Sequence, residues 1–375
     1  MKKLNIYVNT LPWFISKHKT DWQSRLMMRE LEDKYPQLGM IFPEAWMAGL
    51  GPNLQYAISR VKARIPGLAE IGAGGIQEKM TTLWEPDLRK YRPDVVLSQD
   101  QYPSNSGGIP VVWESQYVDP DHFLAAPTAQ DREAWKRWQD VFPRLAGKAA
   151  LVGLRGSYSV DLARNAFPES AHKFRDLLFF LPHLECVDGD AVLRKHQKAS
   201  CLEVLFVGRQ ARLKGLPRVL EAVEEARRKI PIRLHVVSRF DDGKIRLPSG
   251  DWLQVHGELP WSEIRRLFLA CQVQIMPSLK ESYGWVYLEG LAAGCVVMAR
   301  DREPQREIVD YGKAGVLIDP LSSADMASKL VRLGEDVEWR TGLALAGLRR
   351  FQDQYHWSVV GRSWCEAFSR AAEGG

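Results

Sequence analysis

The sequence has few cysteines and no long apolar runs. Five cysteines stand far apart in 375 residues, and none forms a C-x-x-C pair. This spacing excludes a disulfide framework and a cysteine-based zinc site, and it favours a reduced, cytoplasmic protein. No apolar run is long enough to cross a bilayer. The sequence starts directly in a strand-like pattern, so we expect no signal peptide.

The charges show no bias toward one sign. Lys and Arg number 51 and Asp and Glu number 46, for a formal charge of +5, and both halves of the chain carry both signs. Neither half is a basic module, so we expect no nucleic-acid partner. A length of 375 residues with 45% hydrophobic residues suits two domains, each with its own core.

Residues 277–294 form the most informative stretch. The apolar segment 273–276 reads as a strand, and a loop follows it. The next residues are apolar with helical spacing and end at Gly294, which suits a C-terminal helix cap. A second apolar strand is predicted over 295–299. Strand, loop, helix and strand make the unit of a parallel α/β sheet, and such sheets bind ligands outside the carboxyl ends of their strands.

Two glutamates lie at a suggestive spacing in this stretch. The N–H groups of Gly284, Trp285 and Val286 are predicted to open the helix and to attract an anion such as phosphate. Glu281 lies in the loop, and Glu289 lies about two turns inside the helix. Two solvated helix glutamates are the alternative, but the neighbours of Glu289 are almost wholly apolar, and carboxylates are rarely buried without a partner. We therefore expect Glu289 to bind ribose hydroxyls and Glu281 to bind a sugar beyond the phosphates.

A second pattern lies about seventy residues upstream. A predicted strand over 204–207 runs into Gly208 and Arg209, and Lys214 and Gly215 follow. Arg209 offers a planar bidentate fork and Lys214 a point charge, and both can reach one diphosphate from the end of the strand. Two surface basic residues are the alternative. The adjacent glycines favour close approach of the backbone to a ligand.

The two patterns in this order resemble the signature of the retaining GT-B glycosyltransferases of family 4. The resemblance covers roughly residues 200–320 and is thin before residue 150. It implies an α/β protein with two Rossmann-like domains whose parallel sheets face each other across a cleft. The implied boundaries are an acceptor-binding domain over 1–185, a linker over 186–200, a donor-binding domain over 201–350 and a terminal helix over 351–375 that crosses back to the first domain.

The resemblance also implies an activity. The implied reaction transfers a sugar from a UDP-, GDP- or ADP-sugar to a glycan, lipid-linked or small-molecule acceptor. It retains the anomeric configuration and needs neither a metal nor another cofactor. The implied catalytic residues are Arg209, Lys214 and Glu281. The implied substrate-binding residues are Gly208, Ser282, Tyr283, Gly284, Trp285, Val286, Glu289 and Glu114. A nucleotide-sugar epimerase of the same fold and a non-catalytic sugar-nucleotide-binding protein stay as alternatives, and the oligomeric state stays open.

The acceptor side departs from the family pattern. The loop over residues 11–20 lacks the family's glycine pair, and its Trp13, His18 and Lys19 either line the acceptor site or are ordinary loop residues. Where family members often carry a histidine after a strand, this chain has Glu114, which is either an acceptor contact or a strand-end carboxylate bonded to backbone. His122 follows it.

Two further patterns each have two interpretations. The Trp135-Lys-Arg-Trp138 segment leaves a peripheral contact with the inner face of the cell membrane open, although packing of both tryptophans is the alternative. Two Asp-x-Asp triplets, beginning at Asp119 and Asp188, are predicted turns rather than metal sites.

Overall fold

The protein is described here from a computed structural model. It describes residues 3–10, 20–42, 89–99, 103, 106–117, 119–178, 184–197, 200–240 and 245–374. The chain divides into two compact units. The first contains Met1–Tyr117, Ala134–Pro182 and Trp357–Gly375, and the second contains Val118–Glu133 and His183–His356. The loop residues Trp13, His18 and Lys19 lie outside the described residues.

The described residues form twelve strands and twelve α-helices. The strands are β1 (Leu4–Thr10), β2 (Leu38–Ile41), β3 (Val95–Gln99), β4 (Val111–Glu114), β5 (Leu151–Leu154), β6 (Phe174–Asp176), β7 (Leu202–Val207), β8 (Ile232–Val237), β9 (Leu253–Gly257), β10 (Val273–Met276), β11 (Val296–Arg300) and β12 (Val316–Ile318). The helices are α1 (Thr20–Lys34), α2 (Pro120–Phe123), α3 (Ala129–Gly147), α4 (Ser157–Ala166), α5 (Gly189–Gln197), α6 (Leu216–Ala226), α7 (Trp261–Ala270), α8 (Trp285–Ala292), α9 (Gln305–Ile308), α10 (Ser323–Glu335), α11 (Val337–Arg350) and α12 (Trp357–Glu373).

The first unit is built on a six-stranded parallel sheet with the order β2-β1-β3-β4-β5-β6. Its central strands are short, mostly apolar and buried along their length, as expected of parallel strands covered on both faces. The core contains an aromatic cluster. The Trp113 and Phe142 ring centroids are 5.3 Å apart, and those of Tyr117 and Trp135 are 4.6 Å apart.

This cluster decides between the two interpretations of the Trp135-Lys-Arg-Trp138 segment. Trp138 lies on α3 and packs edge-on against Trp113 at 6.4 Å, and Trp135 contacts Tyr117 on the same side of the helix. Both rings are partly buried against the first core. Packing is therefore their role in the structure.

The second unit contains the other six-stranded parallel sheet, with the order β12-β11-β10-β7-β8-β9. The chain leaves β7 toward β8 and β9 on one side, and it later builds β10, β11 and β12 on the other side. The order of strands reverses between β7 and β10, so their carboxyl ends form the topological switch point where such sheets bind ligands. The loops after β7 and β10 carry both sequence motifs.

Two segments depart from the predicted division of the chain. Residues 186–200, which the sequence predicts as a linker, contain α5, and its Val192 and His196 are buried. Arg340 also donates a hydrogen bond of 2.7 Å to the His196 carbonyl, so this segment is an integral part of the second unit. Two polar residues of α5 face the second unit, because the Lys195 ammonium donates to the carbonyls of Phe268 and Ala293 and the buried His196 ring contacts the Gly294 carbonyl. A segment rich in polar residues therefore reads as a linker in the sequence although it packs against the unit. Val118–Glu133, predicted in the acceptor domain, belongs to the second unit as well.

Candidate active site

The loop after β7 packs directly on the loop after β10. Gly215, which caps α6, has a φ of +87°, and a Cβ atom there would lie 2.4 Å from the Pro277 carbonyl oxygen. Glycine is therefore required for both the conformation and the close approach. The Leu279 N–H donates to the Leu213 carbonyl at 2.8 Å, which adds a backbone hydrogen bond between the loops.

This packing brings Lys214 and Glu281 together. The Lys214 ammonium lies 2.6 Å from Oε2 of Glu281, and the two side chains are 20% and 12% exposed. A Cβ atom on Gly208 would lie 3.0 Å from Cγ of Lys214, so this glycine leaves room for the lysine stem. Two predicted catalytic residues that are 67 positions apart thus form one charge pair at the switch point.

Arg209 contributes a second cation beside this pair. Its side chain is exposed, and its guanidinium has no hydrogen-bond or ion-pair partner among the residues that the structure describes. A guanidinium in this state can bind a diphosphate with two parallel hydrogen bonds. Among the cations of the loop after β7, Lys214 is therefore paired and Arg209 is unpaired within the described residues.

The N-terminus of α8 faces the same loops. Its N-cap residue, Gly284, has a φ of +97°, and a Cβ atom there would lie 2.4 Å from the Tyr287 ring. The Tyr287 hydroxyl donates to the Met276 carbonyl at 2.8 Å, which ties the helix to the end of β10. The first N–H groups of a helix have no intrahelical acceptor, so this end of α8 carries donors for an anion.

Glu289 lies inside α8 in an apolar setting. Its side chain is partly buried, and no hydrogen bond or ion pair joins its carboxylate to any described residue. Burial raises the pKa of this carboxyl group to about 7. A carboxylate that is largely removed from water without a protein partner is suited to accept hydrogen bonds from ligand hydroxyls.

The other predicted ligand contacts of this loop divide into two groups. Ser282, Trp285 and Val286 are partly exposed. Tyr283 is different because its side chain is 1% exposed and its carbonyl accepts a hydrogen bond of 2.7 Å from the Gln305 side chain. Tyr283 therefore serves the packing of the loop.

Glu114 lies at the end of β4 in the first unit. Its carboxylate is buried, and Oε1 accepts hydrogen bonds of 2.7 Å and 2.6 Å from Nε and a terminal nitrogen of Arg155. The structure thus favours a bonded strand-end carboxylate over an acceptor contact, with an arginine side chain as the partner instead of the predicted backbone.

Sequence reasoning missed Arg300 and Gln305. Arg300 ends β11 and is fully buried, and its Nε donates to Oε1 of Gln305 at 2.8 Å. The available signal was a charged residue, Arg300, at the end of the otherwise apolar strand 296–300.

The Asp-x-Asp triplets lie at the starts of two helices, and the one at Asp119 forms the predicted turn there. The Asp119 carboxylate accepts from the Asp121 N–H at 2.8 Å at the start of α2, and the Asp188 carboxylate accepts from the Ala191 N–H at 2.6 Å before the first turn of α5. Within the described residues, no three His, Cys, Asp or Glu side chains meet in an arrangement for a metal ion. The helices described also include none with the length and apolarity to cross a membrane.

Part of the sequence is similar to known proteins. Residues 202–336 match the sequence model of the family described as glycosyl transferases group 1. The chain is 32% identical over 164 residues to a phosphatidyl-myo-inositol mannosyltransferase of Mycolicibacterium smegmatis, a match that covers 42% of each chain. It is 30% identical over 182 residues to a D-inositol 3-phosphate glycosyltransferase of Pseudarthrobacter chlorophenolicus, covering 45% of this chain and 43% of that protein. The matches thus span less than half the length of these relatives.

Solved structures resemble the chain over its whole length. Sucrose-phosphate synthase from Thermosynechococcus elongatus has a TM-score of 0.67 at 16% identity, covering 99% of this chain and 100% of that one. HepE from Anabaena, solved with UDP and glucose, has a TM-score of 0.61 at 16% identity, covering 98% and 100%. The fold is therefore that of the two-domain α/β GT-B proteins, as predicted. Within its second unit, residues 202–336 carry the sequence pattern of the glycosyl transferases group 1 family.

Proposed function

We propose that the chain transfers a sugar from a nucleoside diphosphate sugar to an acceptor hydroxyl, with retention of the anomeric configuration. The observation that carries this proposal is the meeting of Lys214 and Glu281 at the β7/β10 switch point. Its relatives named as glycosyltransferases and a structural neighbour solved with UDP and glucose support it. The donor is a UDP-, GDP- or ADP-sugar, and the transfer needs no protein-bound cofactor.

In this proposal the cations act on the leaving group. The diphosphate gains negative charge as the anomeric bond breaks, and fixed donors aimed at that charge lower the barrier. Lys214 can keep its contact with Glu281 and still offer hydrogens to a phosphate, because an ammonium has three donors. Arg209 and the α8 N-terminus supply the remaining donors. No metal ion is needed for this charge.

The two glutamates bind the two polyol ends of the donor. Glu289 accepts hydrogen bonds from ribose hydroxyls inside α8. Glu281 uses Oε2 for Lys214, which leaves Oε1 for the hydroxyls of the transferred sugar. This division places the sugar next to the ammonium that neutralises the leaving phosphate.

The names of two relatives support a proposal for the acceptor. Two of them act, by name, on phosphatidyl-myo-inositol and D-inositol 3-phosphate. We propose an acceptor that presents the hydroxyls of a cyclitol or sugar, free or on a lipid, and a cytoplasmic protein that meets a lipid-linked acceptor peripherally at the inner face of the membrane. The leaving phosphate would take the acceptor proton on the same face, which gives retention.

A two-stage experiment tests this proposal. UDP, GDP, ADP and their sugars are first compared for the increase in melting temperature that native-state binding gives. The donor selected is then incubated with myo-inositol, inositol phosphate and phosphatidylinositol vesicles, and release of nucleoside diphosphate is measured. Acceptor-dependent release supports the proposal. Binding without release would favour a binding protein, and an isomerised donor without acceptor would favour an epimerase.

A further inference from the structure

Arg300 uses every hydrogen-bond donor of its guanidinium. Nε donates to the Gln305 side chain at 2.8 Å. One terminal nitrogen donates to the Phe123 carbonyl at 3.1 Å and the Ser278 carbonyl at 3.4 Å. The other donates to the Glu281 carbonyl at 3.0 Å and to the His122 carbonyl. An arginine has five N–H donors, and here five acceptors surround them.

This saturation explains how a full positive charge is tolerated at a position with no exposed surface. An unpaired buried charge is costly, so the five acceptors are needed to hold Arg300 in place. Burial also lowers the pKa of the guanidinium to about 10, which still leaves it charged at neutral pH. Four of the acceptors are backbone carbonyls, so Arg300 fixes main-chain positions rather than side chains.

The carbonyls come from two segments that are remote in sequence. Ser278 and Glu281 belong to the loop after β10, and His122 and Phe123 belong to α2. The two segments also bond to each other, since the Glu281 N–H donates to the Phe123 carbonyl at 3.0 Å and the Ala125 N–H donates to the Leu279 carbonyl at 2.8 Å. The main chain of Glu281 is thus held on both sides, at its N–H by α2 and at its carbonyl by Arg300.

We propose that Arg300 is a positioning residue for sugar transfer, and this inference rests on the proposed function. By fixing the backbone of Glu281, it sets the place of the carboxylate that contacts Lys214 and receives the sugar. It also sets the place of His122 beside the same loop. Gln305 supports it, because one amide of this side chain contacts both Arg300 and the Tyr283 carbonyl.

The test compares Arg300→Met and Arg300→Lys with the wild-type enzyme. Displacement of a positioned group by about 1 Å can lower a rate by about 10²-fold. We expect Arg300→Met to lower kcat by about that factor, with far less change in nucleoside diphosphate affinity measured by calorimetry. Arg300→Lys should lie between, since an ammonium offers three donors for five acceptors.

Arg340→Met is the matched control. Arg340 is another buried arginine of the second unit, and its guanidinium donates to the carbonyls of Leu333, Gly334 and His196. This variant should lose stability, seen as a lower urea midpoint, but keep the wild-type kcat per folded molecule. Guanidinium ion should restore turnover to Arg300→Ala and should do nothing for Arg340→Ala.

Several results would overturn the inference. They are a folded Arg300→Met enzyme with wild-type kcat, an equal fall in kcat in Arg340→Met, or a loss confined to nucleotide affinity. If Arg300→Met does not fold, the same two quantities are measured for Arg300→Lys and Gln305→Leu. In each variant, kcat should fall much more than nucleoside diphosphate affinity. An absence of turnover in the wild-type protein would instead refute the proposed function, so the two failures are distinguishable.

Discussion

Lys214 Nζ and Glu281 Oε2 are 2.6 Å apart, and their contact joins the loops that follow two neighbouring parallel strands. Each residue alone is an ordinary charged loop residue. Together, beside Arg209 and the N-terminus of α8, they form a partly buried site that, in the proposed function, gives a negative diphosphate and a neutral sugar separate partners. The account of transfer depends on this pair.

Removal of either partner should slow transfer more than it weakens nucleotide binding. Loss of one donor to developing charge typically lowers a rate by about 10²–10³-fold, so we expect Lys214→Met to lower kcat by that order. Glu281→Gln should also lower kcat, since it removes a charge beside both the ammonium and the sugar. Steady-state kinetics with saturating donor measures both effects.

A double variant tests whether Lys214 and Glu281 act together. Because the two residues act on one leaving group and one sugar, the losses in the double variant should be smaller than the product of the two single losses. Fully multiplicative losses would show that the residues act independently, and an unchanged kcat in either single variant would remove that residue from the mechanism.

Glu289 should govern nucleotide affinity. Glu289→Ala is expected to weaken nucleoside diphosphate binding by roughly 1–3 kcal/mol, the contribution of a hydrogen bond to a charged group. Isothermal calorimetry on the folded variant measures this change. An affinity equal to wild type would contradict the assignment of the ribose to Glu289.

The raised pKa of Glu289 also predicts a dependence of stability on pH. Its carboxyl pKa is about 7 in the folded protein against a usual value of 4.5, so the native state holds the proton more tightly than the unfolded state does. Its contribution to stability is present below pH 4.5 and is lost as the pH rises through 7. Glu289→Gln should therefore be more stable than wild type at pH 8, by about 1–3 kcal/mol, and should show little difference at pH 4.5. Urea denaturation at the two pH values measures the difference, and equal gains at both values would exclude the titration of Glu289 as the cause.

Transfer should survive removal of divalent metals. In the proposed mechanism, Arg209, Lys214 and the N-terminus of α8 supply the positive charge for the leaving diphosphate, so activity in excess EDTA should match activity without it. Complete loss in EDTA that Mn²⁺ restores would contradict this, and Asp119 and Asp188 would then be the positions to substitute.

Glu114 and Arg155 should matter for folding rather than for the donor. Breaking a buried ion pair by removing one partner typically costs about 3–5 kcal/mol, so Glu114→Gln and Arg155→Met should each lower the free energy of unfolding strongly. Replacing both residues by apolar ones should cost much less. Urea denaturation measures these changes. A fully stable Glu114→Gln protein with a raised acceptor KM would contradict this prediction and would support an acceptor contact for Glu114.

The sequence allowed the class of fold and the donor motifs to be predicted because both depend on local patterns. The apolar strand 273–276 agrees with β10, and the helix that follows it begins after Gly284. Glu281 and Lys214 were recognised from spacing. Their contact was not, since a distance between residues 67 positions apart depends on which strands are neighbours.

The missed features have a common physical origin. Arg300 bonds mainly to backbone carbonyls. Every residue has such a carbonyl, so these acceptors cannot be recognised from the pattern of side chains. The membership of Val118–Glu133 in the second unit follows from the same bonds, so the predicted boundary could not include it. Arg155, the partner of Glu114, lies just after β5, a strand beside β4, and only the register of the sheet brings the two together.

The most direct test of the account is the configuration of the product. With an α-linked donor chosen by thermal shift and an inositol-type acceptor, the anomeric proton coupling of the new glycoside is measured by NMR. The account predicts acceptor-dependent formation of an α-glycoside, because the leaving phosphate deprotonates the acceptor on the face from which it departs. A β-glycoside would require attack on the opposite face with a protein base, and it would contradict the account, as would release of free sugar alone.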